Sequence, residues 1–395
     1  MPGPDAVPHA GIPAAVAALA PAMTAWRRDL HAHPELGFEE HRTADAVAES
    51  LEAWGIDVHR GLAGTGVVGT IHGRAPSPRA IALRADLDAL PIPEATGVPH
   101  ASRHAGVMHA CGHDGHTAML LGAARHLAVT RSFAGTVHLV FQPAEEGRGG
   151  GLRMVEDGLF DRFPVDAVYG LHNWPDLPAG TFAVHPGPVM AACDQFTVRI
   201  RGKGGHAAMP HHGVDPVLVA AHLVTAVQSL VSRGTDPLDG AVLSVTRMEA
   251  GTTFNVIPDT AELHGTIRTF QPATRARLHE QLGRLVAGIS GALGAEATLE
   301  IDARAPPTIN TRSEADLAAA AAEAVAGPAN VRRDAAPSMT AEDFGYMLAK
   351  RPGAYVWLGA GSRPLHSPGY DFDDSVLATG AAYWVALAER ALPLP

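Results

Sequence analysis

Three apolar stretches of this sequence run straight into an acid or an imidazole, and that regularity narrows the folds open to the chain. Stretches 80–85, 136–141 and 167–171 read as strands; Asp86 follows the first, Glu145 and Glu146 the second, His172 the third. A fourth strand is expected at 66–71. Helical patterns fall at 14–31, 117–129 and 43–54, the last with Ala44, Val47, Leu51 and Trp54 on one stripe and Gly55 as its stop. Strands alternating with helices predict an α/β fold, a mostly parallel sheet with helices on both faces. Functional groups in such sheets collect at the carboxyl ends of strands. Three strand ends therefore bring acids and an imidazole to one edge.

The pattern changes near Pro188. Residues 195–201 alternate as an exposed-face strand, and a Pro in the first turn opens a helix over 215–232. Strands follow at 241–248 and 260–269, then a helix at 274–293 and a strand at 297–301. The order βαββαβ predicts a ferredoxin-like α+β domain over 188–304. It interrupts a catalytic domain formed by 1–187 and 305–395. Beyond it, helices are expected at 314–326, 341–349 and 374–391 and a strand at 354–358, with His366 between the last two.

Composition excludes several functions. With 395 residues, 46% of them hydrophobic, the chain can bury about two domain cores. A formal net charge of −11 argues against nucleic acid. No apolar run is long enough to span a membrane. Residues 1–21 carry no Lys or Arg ahead of the apolar stretch 14–20, so they read as a tail entering the first helix and not as a signal peptide. The two cysteines, Cys111 and Cys193, are too few for a disulfide framework, which makes a cytoplasmic setting the expectation.

Cys111, His113, His172, His366 and the pair Glu145-Glu146 together have the chemistry of a metal site, since thiolate, imidazole and carboxylate suit zinc, manganese, cobalt or nickel. A loop ahead of helix 117–129 can point Cys111 and His113 inward. Adjacent side chains diverge, so one carboxylate of the pair can bind metal while the other serves as a general base. Asp86 is expected behind the ligands, taking the second ring nitrogen of a ligating His, and Asp88 is a weaker candidate for the same part. In the inserted domain His206 sits in the glycine-rich stretch 202–208, which lacks the ending of a phosphate loop. It can donate to a developing oxyanion. Asn255 and Arg268 are further candidates, the guanidinium suited to a substrate carboxylate.

The stretches 28–40 (RDLHAHPELGFEE), 108–116 (MHACGHDGH), 141–147 (FQPAEEG), 202–208 (GKGGHAA) and 255–259 (NVIPD) resemble the amidohydrolase branch of the zinc-dependent aminoacylase and carboxypeptidase superfamily. That branch includes hippurate hydrolases, N-acyl-amino-acid amidohydrolases and indole-acetyl-amino-acid hydrolases. The resemblance implies two divalent ions per subunit on Cys111, His113, Glu146, His172 and His366, with Cys111 bridging and Glu145 as general base. It implies that His206 and Asn255 bind substrate or stabilise the oxyanion, often from a partner subunit, and that Arg268 holds the substrate carboxylate. The inserted domain would then be a lid and dimerisation domain, and the protein a homodimer or dimer-based oligomer. One departure stands out: where the superfamily has His-x-Asp, this chain reads Arg84-Ala85-Asp86, and His113 takes over for the lost ligand.

The reading is a cytoplasmic metal-dependent hydrolase of N-acyl or N-aroyl amino acids. The alternatives are a dipeptidase or carboxypeptidase using the same site, and a non-catalytic metal- or ligand-binding relative, for which the free carboxylate of the Glu pair would have no use. A structural zinc protein would prefer a closed four-ligand site.

Overall fold

The computed structural model describes residues 11–361 and 363–395. The expected tail therefore lies, over residues 1–10, outside the described residues. Two compact units emerge. The first comprises Met1–Gly187, Ile309–Ala336 and Asp343–Pro395; the second comprises Pro188–Thr308 with Pro337–Glu342.

The first unit is built on an eight-stranded sheet. At its centre Ala134–Gln142, Ala75–Asp86, Ala167–Trp174 and Gly353–Gly359 run parallel side by side. These strands, the second of them from Ala80 on, are almost wholly buried, which is why they read as continuous apolar runs and not as alternating ones. Gly66–His72 and Asp57–Leu62 extend one edge antiparallel. The second of these escaped the sequence reading because an outermost strand exposes Asp57, Arg60 and Gly61 and shows no apolar period. Helices His113–Thr130, Arg312–Ala326 and Leu377–Ala391 pack on one another and on the sheet, and the largest apolar core lies between them. The expected helix 14–31 is broken into Ala14–Ala17 and Ala20–Ala32, with Pro21 in the first turn of the second piece. The expected helix 341–349 shrinks to Gly345–Leu348, and just ahead of it Asp343 donates its backbone N–H to the Glu145 side chain. No described helix is long and apolar enough to cross a membrane.

The second unit is a four-stranded antiparallel sheet in the order Ala241–Ala250, Thr260–Thr269, Ala192–Arg201, Glu296–Ala305. With helices Pro216–Ala226 and Pro272–Ala292 it has the ferredoxin-like βαββαβ order. Thr260–Thr269 buries every second residue, so Leu263 and Ile267 join Leu223, Leu278 and Leu282 in a separate core. Asp215 caps the first helix by accepting from Val217 N at 2.9 Å. The bonds Ser338 N to Val189 O (2.9 Å) and Ala191 N to Thr340 O (3.0 Å) bring 337–342 into this unit, beyond the expected range 188–304.

A buried charge network joins the helices of the first unit. Arg27, 1% exposed, donates to Asp374 Oδ1 at 2.7 Å and to Asp371 Oδ1 at 2.8 Å, and lies 3.7 Å from Asp114. Truncating Arg27 strands the fully buried Asp114 in low dielectric, while Asp371 and Asp374 keep partial contact with water. Arg27→Met is expected to lower stability by about 3–5 kcal/mol, read as a fall in the urea midpoint; a loss below about 1 kcal/mol would show that water reaches Asp114 as well.

Candidate metal centre

Four of the proposed ligands come from strand ends and a helix start. Helix His113–Thr130 begins directly on His113, preceded by Gly112 in the left-handed region at φ 93°. A Cβ on Gly112 would lie 2.5 Å from Asn173 Oδ1 and 2.7 Å from the Tyr370 hydroxyl, so only glycine fits there. This turn brings Cys111 and His113 into one buried space. Cys111 Sγ lies 3.4 Å from His172 Nε2, at the end of strand Ala167–Trp174. His366 arrives on a loop, also at positive φ (57°), with its backbone N–H bonded to Ala110 O at 2.8 Å. Its Nε2 is 3.2 Å from Glu146 Oε1.

The two glutamates diverge because the backbone kinks around them. Ala144 is left-handed at φ 55°, Glu146 has ψ 72° and Gly147 has φ 69°. Glu146 donates its N–H to Asp88 Oδ2 at 2.9 Å and lies 4.0 Å from His113 Nε2. Glu145 Oε1 instead accepts from Asp343 N at 3.3 Å. The donor atoms fall into overlapping triads, each with all its atoms within 4.8 Å: Cys111 with His113 and His172, Cys111 with Glu146 and His366, and His113 with both glutamates.

The ring tautomers follow from the backbone. His113 Nδ1 faces Asp88 O at 2.8 Å and His172 Nδ1 faces Asn173 O at 2.7 Å. A carbonyl only accepts, so each Nδ1 carries a proton and each ring turns its Nε2 inward. His113 Nε2 and Glu146 Oε1 are buried and form no hydrogen bond. Burial raises the Cys111 thiol well above its usual value, and Glu146, Glu145 and Asp86 raise it further. Burial pulls His113 down, but Asp86, Asp88 and Glu146 outweigh it and lift the ring to about 10. Inward imidazole nitrogens, a thiol and carboxylates thus converge on one space, where protons on His113 and Cys111 stand in the place a cation could take. The set fits a borderline divalent cation.

Asp86 is placed differently from the sequence expectation. Its Oδ1 receives His116 Nδ1 at 2.6 Å, and its Oδ2 receives Arg84 at 2.8 Å. Asp88 is the residue that orients His113. Burial opposes the charge on Asp86, yet His113, His116 and Arg84 hold its carboxyl well below the usual range. Arg84 is fully buried and also donates to Gln142 Oε1 (2.9 Å) and Asp343 Oδ1 (3.3 Å). The guanidinium therefore pins carboxylates. The sequence reading missed His116, which meets Asn173 Oδ1 at 2.6 Å, and Asp343. The spacing of His113 and His116, three apart on one helix face, was the available signal.

The remaining candidates belong to the second unit. His206 is exposed in the short strand Gly205–His206, paired with Val256–Ile257. Its Nδ1 accepts from Ala208 N at 3.1 Å, which leaves Nε2 as the donor nitrogen of the neutral ring. Asn255 lies beside it, its carbonyl bonded to Ala207 N at 3.0 Å. Arg268 is half-buried on strand Thr260–Thr269, opposite Cys193.

The chain belongs to peptidase family M20/M25/M40, whose profile matches residues 82–390. It is a metal-dependent amidohydrolase of that family. It is 42% identical over 369 residues to an N-acetyl-L-cysteine deacetylase of Bacillus subtilis, covering 93% of this chain and 87% of the relative. It is 40% identical over 367 residues to the hippurate hydrolase of Campylobacter jejuni, covering 93% and 95%. Among solved structures, a dinuclear metal-binding M20 peptidase of Bacillus subtilis superposes with a TM-score of 0.83 at 38% identity, covering 94% of this chain and 98% of that one.

A second buried ring supports the helix that starts at His113. His31, fully buried, meets Asp114 Oδ2 at 2.8 Å and Glu94 Oε1 at 3.4 Å. Burial lowers its pKa, but the two carboxylates prevail and raise it from 6.5 to about 9. The folded ring thus holds its proton more tightly than the unfolded one. Its contribution is fully present below pH 6.5 and is lost as pH rises through about 9. Between those limits, wild type is expected to lose up to about 3 kcal/mol relative to His31→Gln, followed by urea unfolding at stepped pH. Parallel pH curves for the two proteins would show that His31 is neutral when folded.

Proposed function

We propose that this enzyme hydrolyses the amide bond of N-acyl and N-aroyl amino acids, giving a carboxylic acid and a free amino acid. Two divalent ions (zinc, manganese, cobalt or nickel) would be held by Cys111, His113, Glu146, His172 and His366, with Cys111 shared. The observation that carries the reading is the pair of triads meeting at Cys111, with His113 Nε2 and Glu146 Oε1 buried and unbonded among them. The hippurate hydrolase and deacetylase relatives support the substrate class.

Bound ions would supply Lewis acidity, lowering the pKa of water from about 16 towards 7 and polarising the amide carbonyl. This chain's residues do the rest. Glu145 accepts a proton from the attacking water and returns it to the leaving nitrogen. The Asp343 N–H at 3.3 Å fixes the carboxylate for that transfer. His206, with Nε2 as donor, stabilises the tetrahedral oxyanion, and Asn255 binds substrate beside it. Arg268 takes the carboxylate of the amino-acid half. The second unit acts as lid and dimerisation domain, so that His206 of one subunit serves the site of its partner; its exposure supports that role. Both cysteines are free thiols, which supports a cytoplasmic setting.

The reading is tested at Glu145. Glu145→Gln keeps the shape of the side chain but cannot accept a proton. It is expected to bind metal as wild type does and to lose about 10²–10⁴-fold in kcat on benzoylglycine. A loss of less than about threefold would move the general base elsewhere.

A further inference from the structure

Two indoles lie beside the candidate centre, and neither the metal set nor the proton transfers use them. Trp174 ends strand Ala167–Trp174, two residues beyond His172. Side chains alternate along a strand, so His172 and Trp174 emerge on the same face. Their rings lie edge-on, with centroids 6.4 Å apart. On the adjacent parallel strand Trp357 is in register with His172 and emerges on that face too. Trp174 stacks on Trp357 with centroids 4.1 Å apart and planes 15° from parallel. Trp357 is 3% exposed, whereas Trp174 remains half-buried.

Packing alone does not account for the pair. The Trp357 Nε1 atom is buried with no hydrogen-bond partner. An indole N–H without an acceptor disfavours Trp at a purely apolar position, where Leu or Phe would fill space without that penalty. The stack nevertheless fixes the Trp174 plane at the carboxyl ends of two central strands, next to a proposed ligand.

We infer that Trp174, held by Trp357, is the specificity-determining platform for the acyl half of the substrate and selects flat aromatic acyl groups over short aliphatic ones. The inference rests on the amide-hydrolysis reading above and deepens it. An aromatic acyl ring can pack offset or edge-on against the indole, and an acetyl methyl has no such surface to offer.

The test compares N-benzoyl with N-acetyl derivatives of one amino acid in wild type, Trp174→Ala, Trp174→Leu and Trp174→Phe, with bound metal assayed in each. The ratio of kcat/KM for benzoyl over acetyl is expected to fall about tenfold or more in the Ala and Leu variants and to be largely kept in Phe. The ratio cancels any general loss of folding or metal. A ratio within about twofold of wild type in both Ala and Leu would overturn the proposal. Titration of tryptophan fluorescence with benzoate and acetate, the product acids, reads the platform without turnover. Benzoate binding tighter than acetate, and weakened in Trp174→Ala, supports the platform even if wild type cleaves neither amide, a result that would defeat the hydrolysis reading alone. Equal binding of the two acids by wild type would overturn the platform.

Discussion

The first unit is organised around a buried cluster of carboxylates, imidazoles and one thiol. Glu145, Glu146, Asp86 and Asp88 converge with the Cys111 thiol on the inward Nε2 atoms of His113 and His172. Part of that charge is balanced by protein: Arg84 and His116 hold Asp86, and Arg84 also reaches Asp343. What is left over falls on His113 Nε2 and Glu146 Oε1, which are buried without a hydrogen-bond partner, beside the Cys111 thiol that meets His172 Nε2 at 3.4 Å. Burying such groups is costly unless a positive partner joins them. A divalent ion held there would take the place of the Cys111 and His113 protons and offset the charge of Glu146.

Conformational oddities gather around this cluster. The left-handed residues Gly112, Ala144 and His366 sit at the three turns that carry proposed ligands, and a non-glycine residue in that region costs of order 1–3 kcal/mol. The surrounding structure holds them: Gly112 is wedged against Asn173 and Tyr370, and His366 is tied through its backbone to Ala110. The parallel strands set the spacing, and the networks through Arg27, His31 and Asp114 anchor the helix whose first residue is His113.

Much of this was legible in the sequence because the signals were periodic or covalently local. Apolar runs ending in Asp86, the glutamate pair and His172 gave the parallel sheet and the edge where function would gather. The alternation of 195–201 and 260–269 gave the second domain. What stayed hidden depends on contacts between distant segments. Asp88 and Asp86 are both strand-end acids in sequence, and only the turn after Gly112 decides which meets His113 and which meets His116. Arg84 read as the loss of a ligand, yet its partner Asp343 lies 259 residues away and shows no pattern linking the two. The edge strand Asp57–Leu62 lacks a buried face, and so lacks the period that marks a strand.

The central claim is that the buried thiol, imidazoles and carboxylate form a two-ion centre with Cys111 as a shared ligand. Titrating chelator-stripped protein with cobalt(II) tests it most directly, because ion count and thiolate ligation are read in one experiment. Saturation at two ions per chain, a thiolate-to-cobalt charge-transfer band, and release of the Cys111 proton as metal binds are expected. Saturation at one ion, or binding without that band while Cys111 stays open to alkylation, would contradict it.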